Sequence, residues 1–181
     1  LGHNGINIHA IAQGSSERNI SAVISTADVR KAVNSLHEEF FSDGRKQVNV
    51  FIAGVGTVGG RLIEQIRQQA ENLSETLRIN IRVVGIARSG RGLINEEGID
   101  LNSLSLSIDV SPAMSISEFA DAMIELNLRN SVFVDVTASE DVVEVYSRLL
   151  AKSISVVACN KIACSSSYAR YRELRSLAAE Y

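Results

Sequence analysis

Cysteine is scarce in this chain of 181 residues: Cys159 and Cys164 stand alone, close together in CNKIAC. Two thiols cannot frame a disulfide scaffold. A zinc site would need further ligands at suitable spacing, and His3, His9 and His37 all lie far away in sequence, so no metal site is expected. Reduced thiols in the cytoplasm are the simpler reading. A basic excess is missing as well: 18 Lys and Arg stand against 21 Asp and Glu, a net charge of −3. No field is available to hold nucleic acid or an anionic membrane surface. No apolar run reaches the roughly 18 residues of a membrane span. The opening LGHNGINIHA lacks the charged start and apolar core of a secretory signal, and it lacks an initiating Met, which reads as a piece cut from a longer polypeptide. What remains is ordinary for a globular protein, with 45% hydrophobic and 22% charged residues. A chain of this length buries one good core, or one core plus a small appendage.

The pattern along the chain changes once. Residues 1–41 hold two β-like runs, Ile6–Ala12 and Asn19–Ser25, joined by the turn-rich QGSSERN, and then a helical stretch, Ala27–Phe41, with Val29, Ala32, Val33, Leu36 and Phe40 at helical spacing. Two strands and one helix do not close a core unaided, so this part reads as incomplete. Residues 42–47, SDGRKQ, read as a linker. From Val48 onward strands and helices alternate. Val48–Ala53 is apolar apart from Asn49, as in a buried parallel strand, and Val58, Leu62, Ile63, Ile66, Ala70, Leu73 and Leu77 mark a helix. Ile79–Ala87 reads as a second strand, and the stretch 88–114, which holds the single proline, Pro112, reads as irregular. Then come a helix, Ile116–Leu128, with Ser115 or Ser117 as candidate cap, and a strand, Val132–Val136. Thr137-Ala-Ser-Glu140 has capping-box spacing ahead of a helix Asp141–Lys152. A strand Ile154–Ala158 and a helix Ser165–Glu180 close the series. Such alternation predicts an α/β fold, a Rossmann-type doubly wound parallel sheet over residues 48–181.

The informative stretch is FIAGVGTVGG, in which Gly54, Gly56 and Gly59 form GxGxxG. The motif alone is weak, but here it leaves a predicted strand and opens a predicted helix, the context its mechanism requires. Gly54 allows the tight turn, Gly56 lets backbone approach a pyrophosphate, and Gly59 lets helix and strand pack closely. The intervening Thr57 and Val58 share the helix N-terminus, where unpaired N–H groups and a partial positive charge favour phosphate. The plain alternative is a strand–helix turn that needs small residues. NAD-binding proteins usually end the second strand on Asp or Glu for the ribose 2′-hydroxyl. This chain reads Ala87-Arg88-Ser89-Gly-Arg91 instead. A guanidinium with a neighbouring hydroxyl suits a 2′-phosphate, so NADP is expected over NAD, with NAD a possible substitute. Otherwise Arg88 is a solvated loop cation.

The order FIAGVGTVGG, then a strand ending Ala-Arg-Ser, then VDVTAS, then VVACNKIA resembles the nucleotide domain of homoserine dehydrogenases, over essentially all of residues 48–181. INIHAIAQGSSERNISAVIS is similar to the end of the last ACT regulatory domain of an aspartokinase, which points to the bifunctional aspartokinase–homoserine dehydrogenases and makes residues 1–41 a partial ACT-like β-β-α segment. The resemblance implies that Thr137 and Ser139 line the nicotinamide side of the cofactor, and that Asn160 and Lys161 lie there too, with Lys161 at the reaction centre. By themselves, Thr137 and Ser139 read as helix caps and Lys161 as a surface lysine following a strand. The family often has Pro before Asn-Lys and a second Lys after it, where this chain has Cys159 and Ile162. Cys159 reads as a buried small hydrophobe. The implied reaction interconverts L-aspartate 4-semialdehyde and L-homoserine, a step of threonine and methionine biosynthesis. The implied substrate-binding acids and second lysine fall beyond residue 181, so this piece is expected to bind cofactor and not to turn over, and the full-length protein to be a homo-oligomer. Two other readings compete: a different NADP-dependent dehydrogenase or semialdehyde enzyme with the same glycines, and a regulatory or assembly module that binds a dinucleotide or amino acid without catalysis.

Overall fold

A computed structural model describes the chain except for residues 3, 4, 15–18, 42, 43 and 181; the side chains of 38, 39, 41 and 105–107 are also left undescribed. Two compact units result, Leu1–Gly44 and Arg45–Tyr181.

In the first unit β1 (Ile8–Gln13) pairs antiparallel with β2 (Ile20–Ile24), with an irregularity between Ile8 and Ala10. Most of the joining QGSSERN lies outside the described residues. Ser25 accepts a hydrogen bond from the Ala27 amide at the start of a 3-10 turn, Thr26–Asp28, which runs into α1 (Val29–Phe41). Among the residues expected to form the helix's apolar face, Ala32 is buried while Val33 and Phe40 are exposed. A two-stranded sheet and one helix have too little surface to cover them all.

The second unit is a five-stranded sheet in the order β5-β4-β3-β6-β7. The strands are β3 (Lys46–Ala53), β4 (Ile79–Arg88), β5 (Arg91–Ile94), β6 (Ser131–Asp135) and β7 (Ser155–Ala158). β3 runs parallel to both β4 and β6, and β6 parallel to β7. Alternation along β3 divides the core. Phe51 and Ala53 face one side, with Phe119, Met123, Phe133 and Leu149; Val50 and Ile52 face the other, with Ile63, Ile66 and Ile108. Helices therefore cover both faces: α2 (Thr57–Thr76) and α3 (Leu104–Asp109) on the second, α4 (Ile116–Leu126), α5 (Glu140–Val143) and α6 (Tyr146–Leu150) on the first. This is the doubly wound α/β sheet expected. Two further helices follow, α7 (Ile162–Ser165) and α8 (Tyr168–Glu180). No helix among the described residues is long and apolar enough to cross a membrane.

Several details differ from the sequence expectation. β3 begins at Lys46, inside the stretch read as linker. Its one polar interruption, Asn49, is buried and satisfied: it accepts from Arg82 Nε at 3.0 Å and donates to the Arg129 carbonyl at 2.8 Å. The apolar face of α2 is shorter than its periodicity suggested, since Val58 and Leu77 are exposed. The stretch after β4 is not structureless. Arg88 pairs with Arg91 across the two-residue turn Ser89-Gly90, and both turn residues have positive φ, 46° and 77°. That is the geometry of a hairpin whose twist matches its strands. β5 is thus an antiparallel edge on an otherwise parallel sheet. The helix expected over 141–152 is two short helices, and no capping box forms at Thr137: the Thr137 Oγ1 accepts from the Ser139 amide, and α5 has no side-chain cap. The box forms instead at Ser115, which accepts from the Glu118 amide at 3.2 Å while the Glu118 carboxylate accepts from the Ser115 amide at 2.7 Å.

Candidate cofactor and active site

The carboxyl ends of β3, β4 and β6 open into a cleft of about 770 Å³, large enough for much of a dinucleotide. Its floor is the turn from β3 into α2. Gly54 adopts φ 97°, a conformation that strains any side chain, and a Cβ there would meet Thr137 Cγ2 at 2.9 Å and the Val136 carbonyl oxygen at 3.1 Å. A Cβ on Gly59 would fall 2.0 Å from the Gly54 oxygen, so strand and helix touch here through main chain alone. Gly56, the N-cap of α2, is the opposite case: a Cβ there would meet nothing within 4 Å. The open space lies at the N-terminus of a 20-residue helix, where unpaired amides and the helix dipole attract phosphate. A pyrophosphate fits what these residues leave empty.

Arg88, Ser89, Gly90 and Arg91 line the cleft where β4 ends, facing Met114, Ser115 and Ser117 at the start of α4. No acid stands at the end of β4. Arg88 is half exposed and pairs with Asp109 at 3.4 Å, a loose contact that leaves its guanidinium available to an anion. Arg91 is tied differently, donating to the Ser111 carbonyl. Met114 closes over Gly92, where a Cβ would lie 2.4 Å from its sulfur.

Thr137 and Ser139 line the cleft on the β6 side. Of the residues singled out from sequence, Gly54, Gly56, Arg88, Ser89, Thr137 and Ser139 therefore come together at one opening. Thr57, Val58, Gly59, Asn160 and Lys161 are not on its wall. Gly59 is buried beneath it, and Thr57 and Val58 are exposed on the first turn of α2. Asn160 is buried and joined to the wall through its Nδ2, which donates to the Ser139 carbonyl at 2.9 Å. Lys161 is exposed, at the N-cap of α7 just after β7. Cys159 departs from expectation: it is exposed, so the reading as a buried hydrophobe is corrected. β7 is an edge strand of four residues with little cover.

One residue was missed. Asp135, the last of β6, is completely buried and accepts hydrogen bonds from the Thr137 amide at 2.7 Å, the Tyr146 hydroxyl at 2.5 Å and Asn160 Nδ2 at 3.0 Å. Burial, followed by the hydrogen bond to this carboxylate and its charge, raises the Tyr146 pKa well above the ordinary phenol value. Only the position of Asp135 at a strand's carboxyl end could have flagged it from sequence.

A parallel sheet whose central strand turns through glycines into a long helix, with a cleft beside that turn, defines a Rossmann-type dinucleotide-binding domain. Residues 54–181 match the family described as homoserine dehydrogenase, NAD binding domain, and the chain belongs to it. Residues 1–40 match the ACT domain family. A bifunctional aspartokinase/homoserine dehydrogenase of Haemophilus influenzae is 40% identical over 97% of this chain and 21% of its own length. A chloroplastic counterpart from Arabidopsis thaliana is 37% identical over 98% of this chain and 20% of its own. The chain thus spans about a fifth of the curated relatives it matches. A hyperthermophilic archaeal homoserine dehydrogenase solved in complex with NADPH superimposes with a TM-score of 0.58 at 26% identity, covering 74% of this chain and 41% of that one.

Proposed function

We propose that this chain is the cofactor-binding part of a bifunctional aspartokinase–homoserine dehydrogenase that uses NADPH to interconvert L-aspartate 4-semialdehyde and L-homoserine. The observation that carries the cofactor reading is the empty approach over Gly56 at the α2 N-terminus, with a basic Arg88 rather than an acid at the end of β4. In this reading the pyrophosphate lies over Gly54 and Gly56, with Thr57, Val58 and Gly59 supplying the helix end. Arg88 and Ser89 hold the 2′-phosphate, which favours NADP over NAD. Thr137, Ser139 and Asn160 shape the nicotinamide end. When bound, the reduced nicotinamide supplies hydride to the aldehyde carbon. Lys161 donates from its ammonium to the carbonyl oxygen, stabilises the charge that develops there and hands over a proton.

Residues 1–41 are assigned to the end of an ACT-like regulatory domain, 42–45 to a linker and, with β3 starting at Lys46, 46–181 to the NADP domain. The substrate-binding groups are assigned to parts of the longer relatives that this chain does not span, the whole protein to a homo-oligomer, and its site of action to the cytoplasm, in keeping with two exposed unpaired thiols. Binding without turnover is the second reading, favoured by one observation: Lys161 does not line the cleft.

Calorimetric titration of this chain with NADP⁺ and with NAD⁺, repeated on Arg88→Asp, tests the cofactor assignment. Tighter binding of NADP⁺ is expected, with the preference reduced at least about tenfold, or 1.4 kcal/mol, in the variant. Equal binding of both nucleotides by the natural chain would overturn the NADP assignment. Turnover of L-aspartate 4-semialdehyde by the complete polypeptide, and none by this chain alone, is the outcome expected for the enzyme reading.

A further inference from the structure

A fully buried carboxylate is costly unless strong donors surround it, and buried carboxylates are commonly paired with Arg or Lys. The three donors to Asp135 are all neutral. They come from separate places: the loop after β6, helix α6 and the loop after β7. Asp135 Oδ1 accepts from the Thr137 amide, while Oδ2 accepts from both the Tyr146 hydroxyl and Asn160 Nδ2. The Asp135 carbonyl also accepts from the Cys159 amide at 2.8 Å. Asn160 carries the connection onward. Its Nδ2 also donates to the Ser139 carbonyl, and its Oδ1 accepts from the Ile162 amide at 3.0 Å, so the backbone on either side of Lys161 is fixed by one side chain.

We propose that Asp135 is a positioning residue for the reaction: its buried carboxylate, acting through Asn160, holds Lys161 in register with the nicotinamide side of the cleft. This rests on the assignment of Lys161 as the proton donor. Asp135 is completely buried and does not line the cleft. Its two oxygens have separable tasks, Oδ1 fixing the cleft wall at Thr137 and Oδ2 fixing Asn160.

That division makes the test sharp. Asp135→Asn keeps an oxygen for the Thr137 amide but presents an NH₂ to Asn160 Nδ2, donor against donor. In the complete polypeptide, kcat is expected to fall roughly 10- to 100-fold, the range for a misplaced catalytic group, while the KM for NADPH stays within about twofold. Tyr146→Phe removes a donor to the same oxygen and leaves the Asn160 link, so it lowers the melting temperature but keeps kcat within about threefold. Should Asp135→Asn fail to fold, Asn160→Ala breaks the same link, together with those to Ser139 and Ile162, and is expected to lower kcat at least as far. A wild-type kcat in the folded Asp135→Asn or Asn160→Ala enzyme, with Lys161→Met inactive, overturns the positioning role alone. Full turnover by Lys161→Met overturns the Lys161 assignment, and the positioning role with it.

Discussion

Gly56 and Gly59 stand three residues apart in one motif, yet alanine at each should fail in a different way. At Gly59 a new Cβ would sit 2.0 Å from the Gly54 oxygen and 3.0 Å from Val136 Cγ2. The first of these is backbone, so the turn or the first turn of α2 must move. Forcing an extra carbon into a packed site costs about 1–3 kcal/mol, and a clash with main chain belongs at the upper end. For a protein of this size that is a fall of roughly 3–10 °C in melting temperature. At Gly56 φ is −71° and a Cβ meets nothing. Alanine there gains about 0.4–1 kcal/mol by restricting the unfolded chain and loses a similar amount as a poorer cap than glycine. The melting temperature should therefore move by no more than about 2 °C. NADPH is affected the other way round: the new methyl stands in the pyrophosphate approach, so affinity should drop at least about tenfold, or 1.4 kcal/mol. Thermal unfolding and NADPH calorimetry on the two variants make the assay. Undiminished NADPH binding by Gly56→Ala would refute the phosphate cradle. A Gly59→Ala protein that melts with the natural chain would refute the steric argument.

Two further outcomes concern stability alone. Gly85→Ala would put a Cβ 2.5 Å from Phe51 Cδ1 and 2.9 Å from Phe119 Cζ, wedging apart an edge-to-face ring pair, and should cost about 1–3 kcal/mol by urea denaturation with an unchanged m-value. Ser115→Ala removes the cap of α4 and should cost about 1 kcal/mol. The capping bonds from Ser115 also hold the Glu118 carboxyl below its usual pKa of 4.5. A carboxyl depressed by folding stabilises fully above its unfolded value and loses that contribution as pH falls through the folded one. The gap between the natural chain and Ser115→Ala should therefore narrow below about pH 4.5. The Ser115 amide still donates to the carboxylate in the variant, so a gap independent of pH across that window would show that the Ser115 hydroxyl plays no part in holding Glu118 ionised.

How much could be read ahead depended on whether the cause was local. The glycine turn was legible because its demands are those of backbone: positive φ at Gly54 and close approach at Gly59 both exclude a side chain. The alternation of strands and helices was legible from apolar spacing, and the Ser115 cap from its position ahead of a helical pattern. β5 was passed over although Ser89-Gly90 is a turn signal, because only four residues follow it and the edge strand is too short to show a period. Thr137-Ala-Ser-Glu140 has the letters of a capping box and does not form one, since the Thr137 amide is committed to Asp135. That bond spans only two residues, but the rest of the buried carboxylate's partners, Tyr146 and Asn160, lie 11 and 25 residues beyond Asp135, outside any local window.

The turn from β3 into α2 also has a genetic consequence. Its donors are peptide amides, which every residue but proline supplies, so no substitution other than proline can delete them. At its three glycines, Gly54, Gly56 and Gly59, substitution can only add atoms. Harm along this turn should rise with the bulk gained, whereas at Arg88 it should follow the guanidinium lost, and the two ends of one cleft drift under opposite rules.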